Sequence, residues 1–163
     1  MENIKPAVQD EAHNFSEKLV STQPVTVRRR IIWGDCDSAA VVYTPRFGDY
    51  FAAARDWFLR AGIGVFDRPH PSRGGLTFPM RALAYDFQSF LAADDVMDMR
   101  VFVKSISART FTIDVSALNL ATGRVAFIAT GTQICFDLDA KMASALPGEI
   151  VQALEQYRML QGS

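Results

Sequence analysis

The sequence predicts an α+β domain in which an antiparallel sheet packs against one long amphipathic helix. Two observations carry this. Apolar residues recur every three or four positions through one long stretch, 45–62, and every second position through shorter stretches such as 96–105 and 110–120. The strand-like stretches follow one another instead of alternating with helices, which favours a segregated sheet and helix over a doubly wound parallel arrangement. A length of 163 residues, 49% of them hydrophobic, suits one domain with its own core.

Residues 1–23 are polar, show no strand alternation and lead into Gln23-Pro24. They read as an N-terminal extension, loose or holding a short helix, with the domain proper over 24–163. Val25 to Trp33 is rich in β-branched residues, and Val25, Val27, Ile31 and Trp33 share a period of two that Arg29 interrupts. Pro45 has no N–H to lose and suits the first position of a helix, with Thr44 as its cap. Phe47, Tyr50, Phe51, Ala54, Trp57, Phe58 and Ala61 then form an apolar stripe opposite Arg46, Asp49, Asp56 and Arg60, which Gly62 and Gly64 end. Proline and glycine make 68–75 a loop. Four strands follow in meander order: 77–90; 96–105, with Met97, Met99, Val101 and Val103 in phase; 110–120, with Phe111, Ile113, Val115 and Ala117; and 124–138, with Ala126, Ile128, Ile134 and Phe136. Thr122-Gly123 supplies a hairpin turn, and a short helix with Pro147 near its start closes the chain.

The net charge of -1 and pI near 6.1 provide no basic excess for nucleic acid or an anionic membrane surface. Cys36 and Cys135 are too few and too far apart for a disulfide framework or a zinc site. The N-terminus lacks a signal-peptide core and no apolar run reaches about 18 residues. These features predict a soluble, cytoplasmic chain with no nucleic-acid or membrane partner.

The chemistry concentrates in residues 33–47, WGDCDSAAVVYTPRF. A thiolate at Cys36 is disfavoured by the like charges of Asp35 and Asp37. There is no GxSxG, and the imidazole bases available are His13, in the extension, and His70, between two prolines where a structural role fits better. A divalent metal on the two aspartates lacks the further oxygen ligands that hard cations need. There remain a carboxylate acting as base or nucleophile beside a helix N-terminus, whose N–H groups stabilise an oxyanion, and aspartates that simply cap turns. Spacing alone leaves both open.

The longer stretch WGDCDSAAVVYTPRFGDYFAAARDW resembles the signature of hotdog-fold acyl-coenzyme A thioesterases of the 4-hydroxybenzoyl-coenzyme A thioesterase type. The likeness lies in Gly34-Asp35-x-Asp37, Val41-Val42-Tyr43, the helix-start Pro45 and Ala54-Arg55, and residues 93–136 look like the family's closing strands. It covers about residues 25–138 and implies a hotdog fold, a sheet wrapped around one helix. It also implies a homodimer or homotetramer holding the thioester between subunits, and hydrolysis of acyl-CoA to free acid and CoA without metal or cofactor. On the family pattern Asp37 is the catalytic carboxylate, attacking directly or activating water, with Asp35 bracing its loop. Thr44 carries the N–H that polarises the carbonyl, and Tyr43 lines an acyl pocket whose depth Phe47 and Phe51 set. A helix without glutamate favours this branch over one with its carboxylate in the helix.

Three positions depart from the pattern. Ala40 replaces a glycine, Arg46 puts a cation at the mouth of the site, and Ala52 replaces the acidic residue that recognises a ring hydroxyl, so 4-hydroxybenzoyl is not implied. The phosphates of CoA call for basic residues, for which Lys104 and Arg109 are candidates, with Arg28 to Arg30 as another. An acyl carrier protein is an alternative donor. The rival readings are a non-catalytic hotdog protein that binds acyl thioesters, and a hotdog hydratase or dehydratase, whose catalytic His neither His13 nor His70 supplies in the right region.

Overall fold

The structure is a computed structural model that describes residues 15–65 and 75–162. Strands β1 (Glu17–Thr22) and β2 (Val25–Arg30) form a hairpin, and a single 3-10 turn (Trp33–Asp35) and a bridged loop lead to helix α1 (Arg46–Trp57). The helix runs on through a π-helical turn, Phe58–Gly62. Then come β3 (Leu76–Thr77), β4 (Met80–Phe87), β5 (Val96–Ile106), β6 (Thr110–Asn119), β7 (Val125–Ile134), β8 (Phe136–Asp137), β9 (Met142–Ala143) and α2 (Gly148–Leu160). Six strands form one antiparallel sheet in the order β1-β2-β5-β6-β7-β4, and β3, β8 and β9 form a small second one.

The helix buries Phe47, Tyr50, Phe51 and Ala54 against the inner face of the sheet, where Met97, Met99, Val101, Phe111, Ile113, Val115 and Ala117 are fully buried. These are the positions whose periods predict the helix and the two central strands. At Gly131 the helix meets the sheet through Phe51: a Cβ there would stand 2.2 Å from Phe51 Cζ. The C-terminal α2 completes the core from one end. Tyr157 packs edge-on to Phe58 at 4.9 Å between ring centroids, and its hydroxyl accepts from Val25 N–H (2.7 Å) and donates to the Val101 carbonyl (2.8 Å). The Gln161 side chain takes the N–H and C=O of Val103, so α2 satisfies β5 where β2 no longer pairs with it.

Several expectations are corrected. Residues 17–22, read as part of a loose or helical extension, are a strand paired with β2, and the Glu17 carboxylate fixes it by accepting from Arg29 (2.8 Å) and Trp57 Nε1 (2.7 Å). The downstream strands are not a simple meander: β5, β6 and β7 are, but β4 pairs with β7 at the far edge because α1 carries the chain across the sheet. The 77–90 stretch breaks at Phe78-Pro79 into β3 and β4, since Pro79 has no N–H and offers only its carbonyl, to Ile134. The 124–138 stretch divides into β7 and β8, and its inward set is Phe127, Ala129, Gly131, Gln133 and Cys135, with Ile128 and Ile134 half-buried outside. Gly131 faces inward there because the Phe51 ring fills the space a side chain would take. Trp33 faces solvent at 73% exposure, because the chain has left β2 for the 3-10 turn. Thr44 does not cap α1 through its side chain: Pro45 stands at the cap and Arg46 begins the helix. His13, His70 and residues 68–74 of the proline-glycine loop lie outside the described residues.

Candidate active site

The 33–47 stretch folds as two short arms joined by main-chain bonds. Cys36 bridges Val42 antiparallel, Asp37 N–H bonds the Val41 carbonyl (2.9 Å), and Tyr43 N–H bonds the Asp35 carbonyl (2.8 Å). The returning arm docks on the segment after β4, with Val42 N–H on the Leu91 carbonyl and a Val41–Ala92 bridge. At the tip Ala40 takes φ +62°, the left-handed region in which glycine is comfortable and alanine is strained. A glycine pattern at this position is therefore a demand of the backbone.

The two aspartates differ sharply. Asp37 is exposed, its Oδ1 accepting from Ala39 N–H (2.8 Å) and its Oδ2 without a hydrogen-bond or ion-pair partner among the described residues. Asp35 is 3% exposed and accepts the Tyr50 hydroxyl at 2.8 Å, with Arg46 Nε at 3.6 Å. Burial, and then the Asp35 carboxylate, raise the Cys36 thiol above its ordinary pKa, so the cysteine stays a thiol.

Beside this loop the first turn of α1 is closed by Arg46 N–H on the Tyr43 carbonyl and Phe47 N–H on the Thr44 carbonyl. The Thr44 N–H has no acceptor among the described residues, and it stands at the positive end of the helix. Thr44 lines a cavity of about 300 Å³ together with Val42, Phe47, Phe87, Phe90 and Leu91. Phe47 is buried with its ring edge-on to Phe87 (4.7 Å) and Phe127 (5.1 Å), while Phe90 is 74% exposed at the rim. A second cavity, of about 400 Å³, lies between α1 and β4, bounded by Gly48, Phe51, Ala52, Phe78 and Leu83. An apolar chamber with one free N–H donor, next to a loop bearing one free carboxylate oxygen, is equipped to polarise a carbonyl and attack it.

Thus Asp37, Tyr43, Thr44 and Phe47 gather at one end of the sheet, and Phe51 lines the second cavity. Lys104 and Arg109 do not join them. Lys104 Nζ meets Asp114 Oδ2 at 3.6 Å, and Arg109 precedes β6 at the opposite end of the sheet. The Arg28 to Arg30 run is paired throughout: Arg28 is bidentate to Asp98 (2.7 and 2.9 Å), Arg29 binds Glu17, and Arg30 reaches Asp94 at 3.3 Å. Tyr50, Phe87 and Phe90 escape sequence reasoning, because a tyrosine in an apolar helix stripe and phenylalanines at a strand end look like core. An exposed aromatic beside a polar Gln88-Ser89 pair is the signal that could have found Phe90.

Residues 31–154 match the model of the Thioesterase-like superfamily. The chain belongs to that superfamily. The 4-hydroxybenzoyl-CoA thioesterase of Pseudomonas sp. (strain CBS-3) is 27% identical over 88 residues, which are 53% of this chain and 62% of that enzyme, so the alignment spans less than two thirds of the relative. Among solved structures, a 1,4-dihydroxy-2-naphthoyl-CoA thioesterase from Synechocystis superposes with a TM-score of 0.68 at 20% identity, over 79% of this chain and 93% of that one. A Staphylococcus aureus protein solved in complex with CoA gives 0.75 at 12% identity, over 91% and 89%. These likenesses establish the hotdog fold for this member of the thioesterase-like superfamily.

Proposed function

We propose that the chain is an acyl-CoA thioesterase that works in the cytoplasm as a homodimer or homotetramer. The observation that carries the reading is the pairing of an unpartnered Thr44 N–H at the start of α1, on the wall of an aromatic cavity, with the unpartnered Oδ2 of Asp37 on the adjoining loop. The thioester carbonyl oxygen accepts from Thr44 N–H. Asp37 then either attacks the carbonyl carbon, expelling CoA thiolate and leaving a mixed anhydride that water hydrolyses, or takes a proton from water as it attacks, with the thiolate again leaving. In both routes the oxyanion forms against the Thr44 N–H and the positive helix end, and no other residue needs to change charge. The aromatic walls at Phe47, Phe87 and Phe90 favour an aryl or other apolar acyl group, with Tyr43 at the mouth and Phe51 in the second cavity. The relatives named above act on CoA thioesters or bind CoA, which favours CoA as the donor.

A second subunit fits the edge of the sheet. β4 ends the strand order, its outer edge unpaired among the described residues, and exposes Met80, Leu83 and Phe87. Antiparallel pairing of two β4 strands brings the Met80 end of each protomer, near Arg109, beside the Phe87 end of the other, near Asp37. Lys104 and Arg109 then serve CoA phosphates of the neighbouring site. Cys36 and Cys135 are both free thiols, which suits a reducing compartment. The test is thiol release from a panel of aromatic, short and long acyl-CoA substrates by the wild-type chain. Turnover of at least one supports the reading, and inertness toward all of them overturns it.

A further inference from the structure

The Asp37 carboxylate and the Thr44 N–H stand on the two arms of one loop, and hydrolysis at Asp37 requires their spacing to be fixed. Beside the Cys36–Val42 bridge and the Asp37 N–H on the Val41 carbonyl, Asp35 ties the two at the end nearest Thr44. The Asp35 carbonyl accepts the N–H of Tyr43, the residue before Thr44, at 2.8 Å, while Asp35 itself lies two residues before Asp37. Its side chain is buried and could not hold that place as an uncompensated charge. The compensation comes from the Tyr50 hydroxyl at 2.8 Å, on the second turn of α1.

Tyr50 is itself immobilised. It is fully buried, Phe47 meets its ring edge-on at 5.8 Å between centroids, and the Arg29 guanidinium lies 4.8 Å from the ring centroid. Arg29 is in turn held by Glu17. Burial, reinforced by the Asp35 carboxylate, raises the pKa of the Tyr50 hydroxyl well above its ordinary value, so it remains a donor throughout the working range. Arg46 adds a looser contact, 3.6 Å from Asp35 and 46% exposed, which cannot replace the tyrosine.

We propose that Tyr50 is a positioning residue for the hydrolysis proposed above: through Asp35 it sets the separation between the Asp37 carboxylate and the Thr44 N–H. The inference rests on that reading of the site. Tyr50 is not among the residues that line either cavity and meets the wall through the ring of Phe47, so its loss changes the rate of the chemical step and leaves the affinity for substrate nearly intact.

The experiment compares wild type, Tyr50→Phe and Asp35→Asn with an acyl-CoA that the wild type hydrolyses, well below the melting temperature of each. Tyr50→Phe keeps the ring and is expected to lower kcat roughly 10- to 100-fold, the scale on which small misplacements act, while KM stays within about 3-fold. Asp35→Asn replaces the charged acceptor of the Tyr50 hydroxyl by a weaker neutral one, and its kcat is expected to fall about 3- to 30-fold, no more deeply than that of Tyr50→Phe, with KM again within about 3-fold. A Tyr50→Phe protein with wild-type kcat overturns the inference, as does a loss carried by KM alone. If Tyr50→Phe does not fold, Asp35→Asn decides: a wild-type kcat, or a loss carried by KM alone, overturns the positioning role. A wild-type chain inert toward every thioester sinks the hydrolase reading and this inference together, whereas an active wild type with an indifferent Tyr50→Phe sinks only the latter.

Discussion

Gly131→Ala tests how closely α1 lies on the sheet. A Cβ at 131 would stand 2.2 Å from Phe51 Cζ and 2.8 and 3.0 Å from its two Cε atoms. Carbon atoms settle about 3.5 to 4.0 Å apart, so the ring must withdraw by more than about 1 Å. The strand cannot yield, because Gly131 is paired on both sides, with Leu83 and with Ile113, so the shift falls on the buried Phe51 ring and the helix that carries it. Overpacking ordinarily costs about 1–3 kcal/mol. With both the helix and a central strand resisting, a loss of about 3 kcal/mol follows, or a fall in Tm of about 6–12 °C for a chain of this size. Phe51→Leu removes the ring atoms that collide at a cost of about 1–2 kcal/mol of its own. Gly131→Ala is then expected to cost at least about 1 kcal/mol less in the Phe51→Leu background than in wild type. Urea unfolding followed by circular dichroism reads all four corners of the cycle. Additive costs, or a Gly131→Ala protein within about 0.5 kcal/mol of wild type, refute the close approach and the helix placement drawn from it.

Other predictions follow from single contacts. Tyr157→Phe strands the buried Val25 N–H and Val101 carbonyl together, and we expect a loss of about 2–4 kcal/mol in urea unfolding. Burial raises the Tyr157 pKa from 10.0 to about 12, with the Val25 N–H opposing it. A raised folded-state value favours the protonated form, so its contribution, on the order of 2–3 kcal/mol, is complete below about pH 10 and lost as pH climbs through about 12. Stability measured across that window should fall more steeply in wild type than in Tyr157→Phe. Ala40→Gly relieves the left-handed residue at the loop tip; after glycine's greater unfolded-state entropy is subtracted, a gain of about 0.5–1 kcal/mol is expected in the same unfolding assay.

What the sequence reveals of this fold is whatever burial writes periodically. Phe47, Tyr50, Phe51 and Ala54 face one way on α1, as Phe111, Ile113, Val115 and Ala117 do on β6, because one face of each meets the core and the other does not. β1 is hidden because it is an edge strand with only partly buried residues, stabilised by pairing with β2 and by the Glu17 contacts with Arg29 and Trp57, all of them non-local. β7 misleads because its apolar bulk, Ile128 and Ile134, lies outside while Ala129 and Gly131 lie under the helix. The position of β4 beside β7 is set by the path of α1 across the sheet, which no local pattern records.

The candidate site divides in the same way. Asp37 and Thr44 are singled out by the resemblance and not by spacing, and the left-handed backbone at Ala40 matches the glycine of that pattern. The Tyr50–Asp35 bond is not legible, since a tyrosine in an apolar stripe looks like packing until its hydroxyl is seen to end on a buried carboxylate. The split between Asp37, with a free oxygen, and Asp35, enclosed, is legible through the resemblance alone, because it depends on which way a tight loop turns.

The most direct measurement is thiol release from an acyl-CoA substrate by Asp37→Asn beside wild type, with acyl-CoA binding to both measured by calorimetry. The account predicts that hydrolysis falls at least about 100-fold while the dissociation constant stays within about 3-fold. An Asp37→Asn protein that hydrolyses at the wild-type rate would contradict it.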